Sequence, residues 1–223
     1  MKKVLIATPS YDGKVDVWYT NSLINTIKIA SHFDCVVFPV FMAYDALVQR
    51  ARNDLVSLAI EEDFDEIIFI DADIEWHPEW VFKLLSYDVD VVGAPVVKKS
   101  DYAAFNIKAL SENMEIEENG LAEIECIGTG FLRVSRNALE KVWKTSKKYK
   151  NEGRECRMVF DVQIVNGDLV SEDNVFCQKW RKLGGKVYAD VNMTCNHIGT
   201  KKYGGSFAAY LKFLQDQEKE TVQ

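Results

Sequence analysis

Four short apolar runs separated by segments of helical spacing fill the first 97 residues, and this alternation constrains the fold more than any other feature of the chain. The runs cover residues 4–7, 35–40, 67–70 and 89–92. A run that is apolar at every position, as the first three are, belongs to a strand buried on both faces, as in a parallel sheet covered by helices, and 89–92 departs from this only at Asp90. Between the runs, helices are expected over about 17–31, over a segment carrying Leu47, Ala51, Leu55 and Leu58 and closed by the acids of 61–65, and over about 79–86. Strand and helix in strict alternation predict an α/β fold with a mostly parallel sheet and helices on both sides.

The pattern changes after Pro95. Residues 102–125 form short alternating, Glu-rich segments with an Asn119-Gly120 turn signal, which predicts a small antiparallel insertion. Helices are then expected over 136–143, 171–183 and about 206–219, with a basic loop over 144–157 and a strand over 186–189. No repeat and no Pro/Ser/Gly-rich linker interrupts the 223 residues, so a single domain with one sizeable core is expected.

Charge is unevenly distributed. The formal net charge of −7 argues against a chain that coats nucleic acid or an anionic membrane. Residues 1–140 hold 12 basic and 24 acidic residues, net −12, whereas residues 141–223 hold 15 and 10, net +5. Five cysteines without a CxxC pair suggest neither a disulfide framework nor a zinc site. The first apolar run stops at Thr8-Pro9, too short for a signal peptide, and no stretch reaches the roughly 18 apolar residues of a membrane span. A soluble, cytoplasmic protein is expected.

The chemistry concentrates in a few segments. Ile67-Ile68-Phe69-Ile70 runs directly into Asp71-Ala72-Asp73, which places two carboxylates at the carboxyl edge of a parallel sheet, where open α/β folds bind ligands. Extended alternation would point both the same way, and two hard oxygen donors suit Mg²⁺ or Mn²⁺ shared with a ligand's phosphates. Residues 61–79 hold nine acids and no Lys or Arg, a crowding that a bound cation would relieve. Glu172-Asp173 after Ser171 reads either as a capped helix start or as the source of a general base. His197, in Cys195-Asn196-His197-Ile198-Gly199-Thr200, is a candidate third metal ligand, with Lys201 and Lys202 next to it as a possible phosphate clamp. Gly128-Thr129-Gly130-Phe131 is either a strand bulge or a close backbone approach to a ligand.

In combination these residues resemble the GT-A-fold, nucleotide-sugar-dependent glycosyltransferases, in particular the small family-2-like members of bacteria, bacteriophages and large DNA viruses. The likeness spans about residues 3–200 and rests on Thr8-Pro9-Ser10-Tyr11, Arg50-Ala51-Arg52-Asn53, the Asp-Ala-Asp strand end, Gly128–Phe131, Ser171–Cys177 and His197-Ile198-Gly199 in the family's order. The resemblance implies one GT-A domain, with residues 1–97 the nucleotide-binding half and 98–223 the acceptor-side half. It implies Asp71, Asp73 and His197 around Mn²⁺ or Mg²⁺, and Thr8, Pro9, Tyr11, Arg52, Asn53, Asp71 and Lys98 around a nucleotide-sugar donor, UDP-linked by expectation. Glu172 or Asp173 would be the base of an inverting transfer, and Gly128, Thr129, Gly130 and Phe131 the floor of the acceptor site.

Two departures stand out. The base-binding carboxylate often found after the second strand has no clear counterpart, Asp45 coming late, and the QxxRW motif of processive synthases is absent. A single transfer to a glycan or glycoconjugate is the expected reaction. A phage-type DNA-base glycosyltransferase, served by the basic run from Lys141 to Arg157, a sugar nucleotidyltransferase and a non-catalytic sugar-binding protein are the alternatives.

Overall fold

The computed structural model describes residues 1–100, 102–111, 113–199 and 201–221, with side chains described as far as residue 217. Thr200, in the His197 motif, and Glu112, in the expected insertion, lie outside the described residues. Strands β1 (Lys2–Ser10), β2 (Cys35–Ala43) and β3 (Glu66–Ile70) are connected by helices α1 (Val17–Ile29) and α2 (Val48–Glu61). Then come β4 (Ile74–Glu75), α3 (Glu79–Ser86), β5 (Val91–Gly93), β6 (Ile107–Ala109), β7 (Leu121–Ile127) and β8 (Phe131–Ser135). Helix α4 (Arg136–Thr145) leads into two hairpins, β9 (Lys148–Asn151) with β10 (Arg154–Arg157), and β11 (Gln163–Val165) with β12 (Asp168–Val170). The last elements are α5 (Glu172–Lys182), β13 (Val187–Asp190), β14 (Asn196–Ile198), β15 (Lys202–Tyr203) and α6 (Phe207–Thr221).

Eight strands form the central sheet in the order β2-β1-β3-β8-β5-β13-β7-β6. β1 pairs in parallel with β2 and β3, and β5 with β13, whereas β8 and β7 run antiparallel to both their neighbours. Six of the eight strands therefore point one way, in a mostly parallel α/β sheet. Side chains alternate across it as strand geometry requires. Leu5, Ala7, Ile67 and Phe69 enter a core with α2, α4 and α5, while Val4, Ile6, Ile68 and Ile70 enter another with α1 and α3. Among the described residues no helix is long and apolar enough to cross a membrane.

Three differences from the sequence reading have physical causes. Strand β8 went unread because Arg133 interrupts its apolar run; that side chain is buried and donates from Nε and Nη2 to the two oxygens of buried Glu66 on β3, both at 2.7 Å. The predicted insertion is part of the main sheet, since β7 pairs with β13 and carries β6 at the edge. The predicted loop 144–157 contains the β9–β10 hairpin, which turns at Glu152-Gly153 with φ of 48° and 85°. Both proposed halves of the chain thus contribute strands to one sheet.

Candidate active site

At the carboxyl end of β3 the backbone is held from three sides. Asp71 N–H donates to the Gly130 carbonyl at 3.2 Å, Asp16 N–H to the Ala72 carbonyl at 2.9 Å, and Ile198 N–H to the Asp73 carbonyl at 2.8 Å. The turn between β7 and β8, the start of α1 and strand β14 thereby fix Asp71-Ala72-Asp73. A turn closed by the hydrogen bond from Ile74 N–H to the Asp71 carbonyl, 3.1 Å, replaces the extended chain expected here. The two carboxylates consequently meet different partners instead of pointing together.

Asp73 meets His197, which β14 delivers by pairing antiparallel with β4. The His197 Nδ1 lies 2.9 Å from the Val97 carbonyl, which can only accept, so Nδ1 carries a proton and Nε2 faces Asp73 Oδ2 at 3.4 Å. Two donors at that separation suit adjacent positions around one cation with ligands about 2.1 Å away. The Lys99 ammonium touches the same oxygen at 2.5 Å. Burial opposes the charge of Asp73, but the adjoining His197 imidazole and Lys99 ammonium outweigh it and hold the carboxyl below its usual range.

Asp71 turns instead to Arg52. The Arg52 side chain, 5% exposed, donates from Nη2 to Asp71 Oδ1 at 2.9 Å and from Nη1 to Glu172 Oε1, and its buried Nε has no partner among the described residues. The expected set Asp71, Asp73 and His197 is therefore not gathered: Asp73 and His197 come together, and Asp71 does not join them. Among the described residues no three His, Cys, Asp or Glu side chains are grouped to hold a metal. Asp73 and His197 are the two side chains here that could serve together as ligands of a divalent cation.

A cleft of about 580 Å³ opens over this strand end, lined by Pro9, Tyr11, Arg52, Asp71, Asp73 and His197 among others. Asp45 lines it too, but both its oxygens accept from the Arg50 guanidinium at 2.8 Å. That guanidinium, more than burial can oppose, lowers the Asp45 pKa.

Several predicted residues lie elsewhere. Thr8 is buried beneath the cleft, its hydroxyl 2.6 Å from that of Tyr19, because β1 continues through Ser10 and neighbouring strand residues face opposite ways. Asn53 is a buried clip: its Nδ2 donates to the Phe160 carbonyl and its Oδ1 accepts from Phe160 N–H, both at 2.8 Å. Consecutive helix residues point about 100° apart, so Arg52 and Asn53 face different neighbours. Lys98 is exposed and outside the cleft lining, and its neighbour Lys99 reaches the site. The sequence reading named Lys98 and did not single out Lys99.

Asp173 Oδ1 accepts from the Ser171 hydroxyl and from Asn174 N–H, so Ser171 supports Asp173 and makes no side-chain cap of α5. Gly130 backs Asp71, since a Cβ there would lie 3.5 Å from Asp71 Oδ2. Gly128 packs on Asn106, leaving no room for a Cβ, Thr129 is buried, and Phe131 points into the α1/α3 core, so these side chains do not form an acceptor floor. Lys202 pairs with Glu75 and stands 4.9 Å over the Trp18 ring.

The acidic stretch 61–79 is neutralised by distant cations. Glu61 pairs with Arg154, Asp63 with Arg136, Glu66 with Arg133 and Lys2, and Glu75 with Lys202. Crowding of acids there does not by itself call for a bound cation.

No protein-family model and no curated protein sequence matches the chain. The crystal structure of A197 from STIV superposes with a TM-score of 0.56 at 19% identity, over 89% of this chain and 86% of that one. The crystal structure of a glycosyltransferase involved in the glycosylation of the major capsid of PBCV-1 matches over 63% of each chain at 12% identity, with a TM-score of 0.36. The fold is shared with A197 along nearly the whole chain. What the fold and site define together is an α/β domain with acidic, cationic and imidazole groups converging at the end of its third strand.

Proposed function

We propose that the protein is a divalent-cation-dependent glycosyltransferase, moving a sugar from a nucleoside diphosphate, UDP first among candidates, to a hydroxyl of a glycan or glycoconjugate. The observation that carries this reading is the convergence at one strand edge of Asp73 with His197 and, through Arg52, of Asp71 with the start of α5. The cleft volume lies in the range of small-ligand sites. Tyr11, 76% exposed on its lining, offers a ring to the nucleotide base beside Pro9.

The α5 carboxylates divide the work. Glu172 is committed to Arg52, whereas Asp173 has an oxygen, Oδ2, without a hydrogen-bond partner among the described residues. Asp173 Oδ2 takes the proton of the acceptor hydroxyl as that oxygen bonds to the anomeric carbon and the bond to the diphosphate breaks, with inversion. Asp73 and His197 would hold Mn²⁺ or Mg²⁺, which neutralises the charge of the leaving diphosphate. Arg52 holds the Asp71 carboxylate by its Nη2. A glycan is preferred to DNA as acceptor because the basic run is largely engaged. Lys144 pairs with Glu140, Lys148 with Glu155 and Arg154 with Glu61, while Arg157 donates to the carbonyls ending α4.

A panel of nucleotide sugars with MnCl₂, scored for nucleoside diphosphate release, tests the reading. Release from one donor is expected, with D173N lowering kcat about 10²–10⁴-fold and D73A abolishing Mn²⁺-dependent turnover. Full activity in D73A, or no release from any donor, overturns it.

A further inference from the structure

Lys99 occupies the oxygen that the proposed cation needs. Its ammonium lies 2.5 Å from Asp73 Oδ2, the atom that His197 Nε2 faces at 3.4 Å. An ammonium and a divalent ion sharing one carboxylate oxygen repel each other, so the two compete for it. The stem of Lys99 is partly exposed and lies over Gly199, where an added methyl would come within 3.3 Å of its Cδ. Its backbone is not free to move far. Val96 bridges to Cys195, and the Val97 carbonyl accepts from His197, so the residue stays anchored beside the site.

We propose that Lys99 is a donor-phosphate ligand that rests on Asp73 until a divalent cation displaces it. The proposal rests on the glycosyltransferase reading above. A cation arriving with a nucleoside diphosphate takes the Asp73 oxygen, and the released ammonium meets a phosphate oxygen of the same donor a short side-chain swing away. Lysine suits this exchange as a compact charge on a flexible stem. In the empty cleft the same ammonium neutralises Asp73, so the site need not carry an uncompensated carboxylate.

The exchange predicts opposite effects on two ligands, which a purely structural role for Lys99 would not give. Calorimetric titration of the full chain with MnCl₂ alone should show K99M binding about fivefold tighter than the wild type, the size of a partly exposed ion pair. Titration with UDP at saturating MnCl₂ should show K99M binding about five- to tenfold weaker. K98M removes the same charge one residue away, outside the cleft, and should move neither affinity by more than about twofold. The proposal is overturned if K99M leaves Mn²⁺ affinity unchanged or weaker, if UDP affinity does not fall, or if K98M tightens Mn²⁺ equally. Absence of Mn²⁺ binding to both wild type and K99M overturns the cation-dependent reading along with it, and so separates the two failures.

Discussion

Replacing Arg52 with Met probes the joint between the two ends of the site. The substitution roughly preserves side-chain volume and removes a guanidinium that is 5% exposed and donates to two carboxylates, Asp71 and Glu172. Breaking a fully buried ion pair costs about 3–5 kcal/mol, because the partner's charge is left uncompensated. Two features reduce this. The Asp71 side chain is 34% exposed, so water recovers part of its solvation, and the unpartnered Arg52 Nε, itself a buried cost, disappears with the substitution. A net loss of about 3 kcal/mol is expected, or roughly 6–12 °C in Tm for a chain of this size. Urea denaturation of R52M, E172Q and the double variant forms a cycle. E172Q should destabilise the wild type but be neutral or stabilising in the R52M background, with a coupling energy of about 2 kcal/mol. A Tm for R52M within about 1 °C of wild type, or equal effects of E172Q in both backgrounds, refutes the account of Arg52 as the shared counter-ion.

Three further outcomes are expected. Asn53→Ala should cost about 2–3 kcal/mol in urea, by leaving the buried backbone of Phe160 unpaired, yet leave UDP affinity unchanged; weakened UDP binding in a folded variant would return Asn53 to the cleft. Gly185→Ala would place a Cβ 1.9 Å from the buried Trp180 ring and should cost about 2–3 kcal/mol. Gly184→Ala, at φ +85° with open space around it, should cost about 1 kcal/mol from backbone strain alone, and equal losses would contradict the packing argument. The Glu123 carboxyl is lowered by hydrogen bonds from Lys186 and then Arg181, and that of Asp45 by Arg50. Folded values below unfolded ones stabilise fully above the ordinary carboxylate pKa of about 4, and the contribution is lost as pH falls through the folded values. Tm followed from pH 6 to 3 should therefore fall less steeply in E123Q than in the wild type.

The alternation of buried strands and helices was legible because burial on both faces leaves a local mark. The helix expected over 79–86 is α3, and the run 67–70 is β3 with Asp71 and Asp73 following at the sheet's carboxyl edge. Strand β8 was hidden for the opposite reason: Arg133 looks like a surface residue until Glu66 is placed beside it. Residue type likewise marked Arg52, Asp73, Glu172-Asp173 and His197 as chemically able; Arg52, Asp73 and His197 line the cleft and Glu172 adjoins it through Arg52, whereas Asp173 lies outside the lining.

By itself, then, the sequence determined the alternation of strand and helix over the first 97 residues, the strand end that carries Asp71 and Asp73, and the net charge of each region, all properties of neighbours along the chain. Only the tertiary structure decided which charges meet. The acids of 61–79 have no basic residue within their own stretch, yet Arg52, Lys99, Arg133, Arg136, Arg154 and Lys202 reach them from elsewhere. It also turned Lys99 inward instead of Lys98, and parted Asp71 from Asp73 by a turn. Such pairings depend on strand order and on the direction of each side chain, and an ion pair acts over a few ångströms of space regardless of how many residues separate its partners.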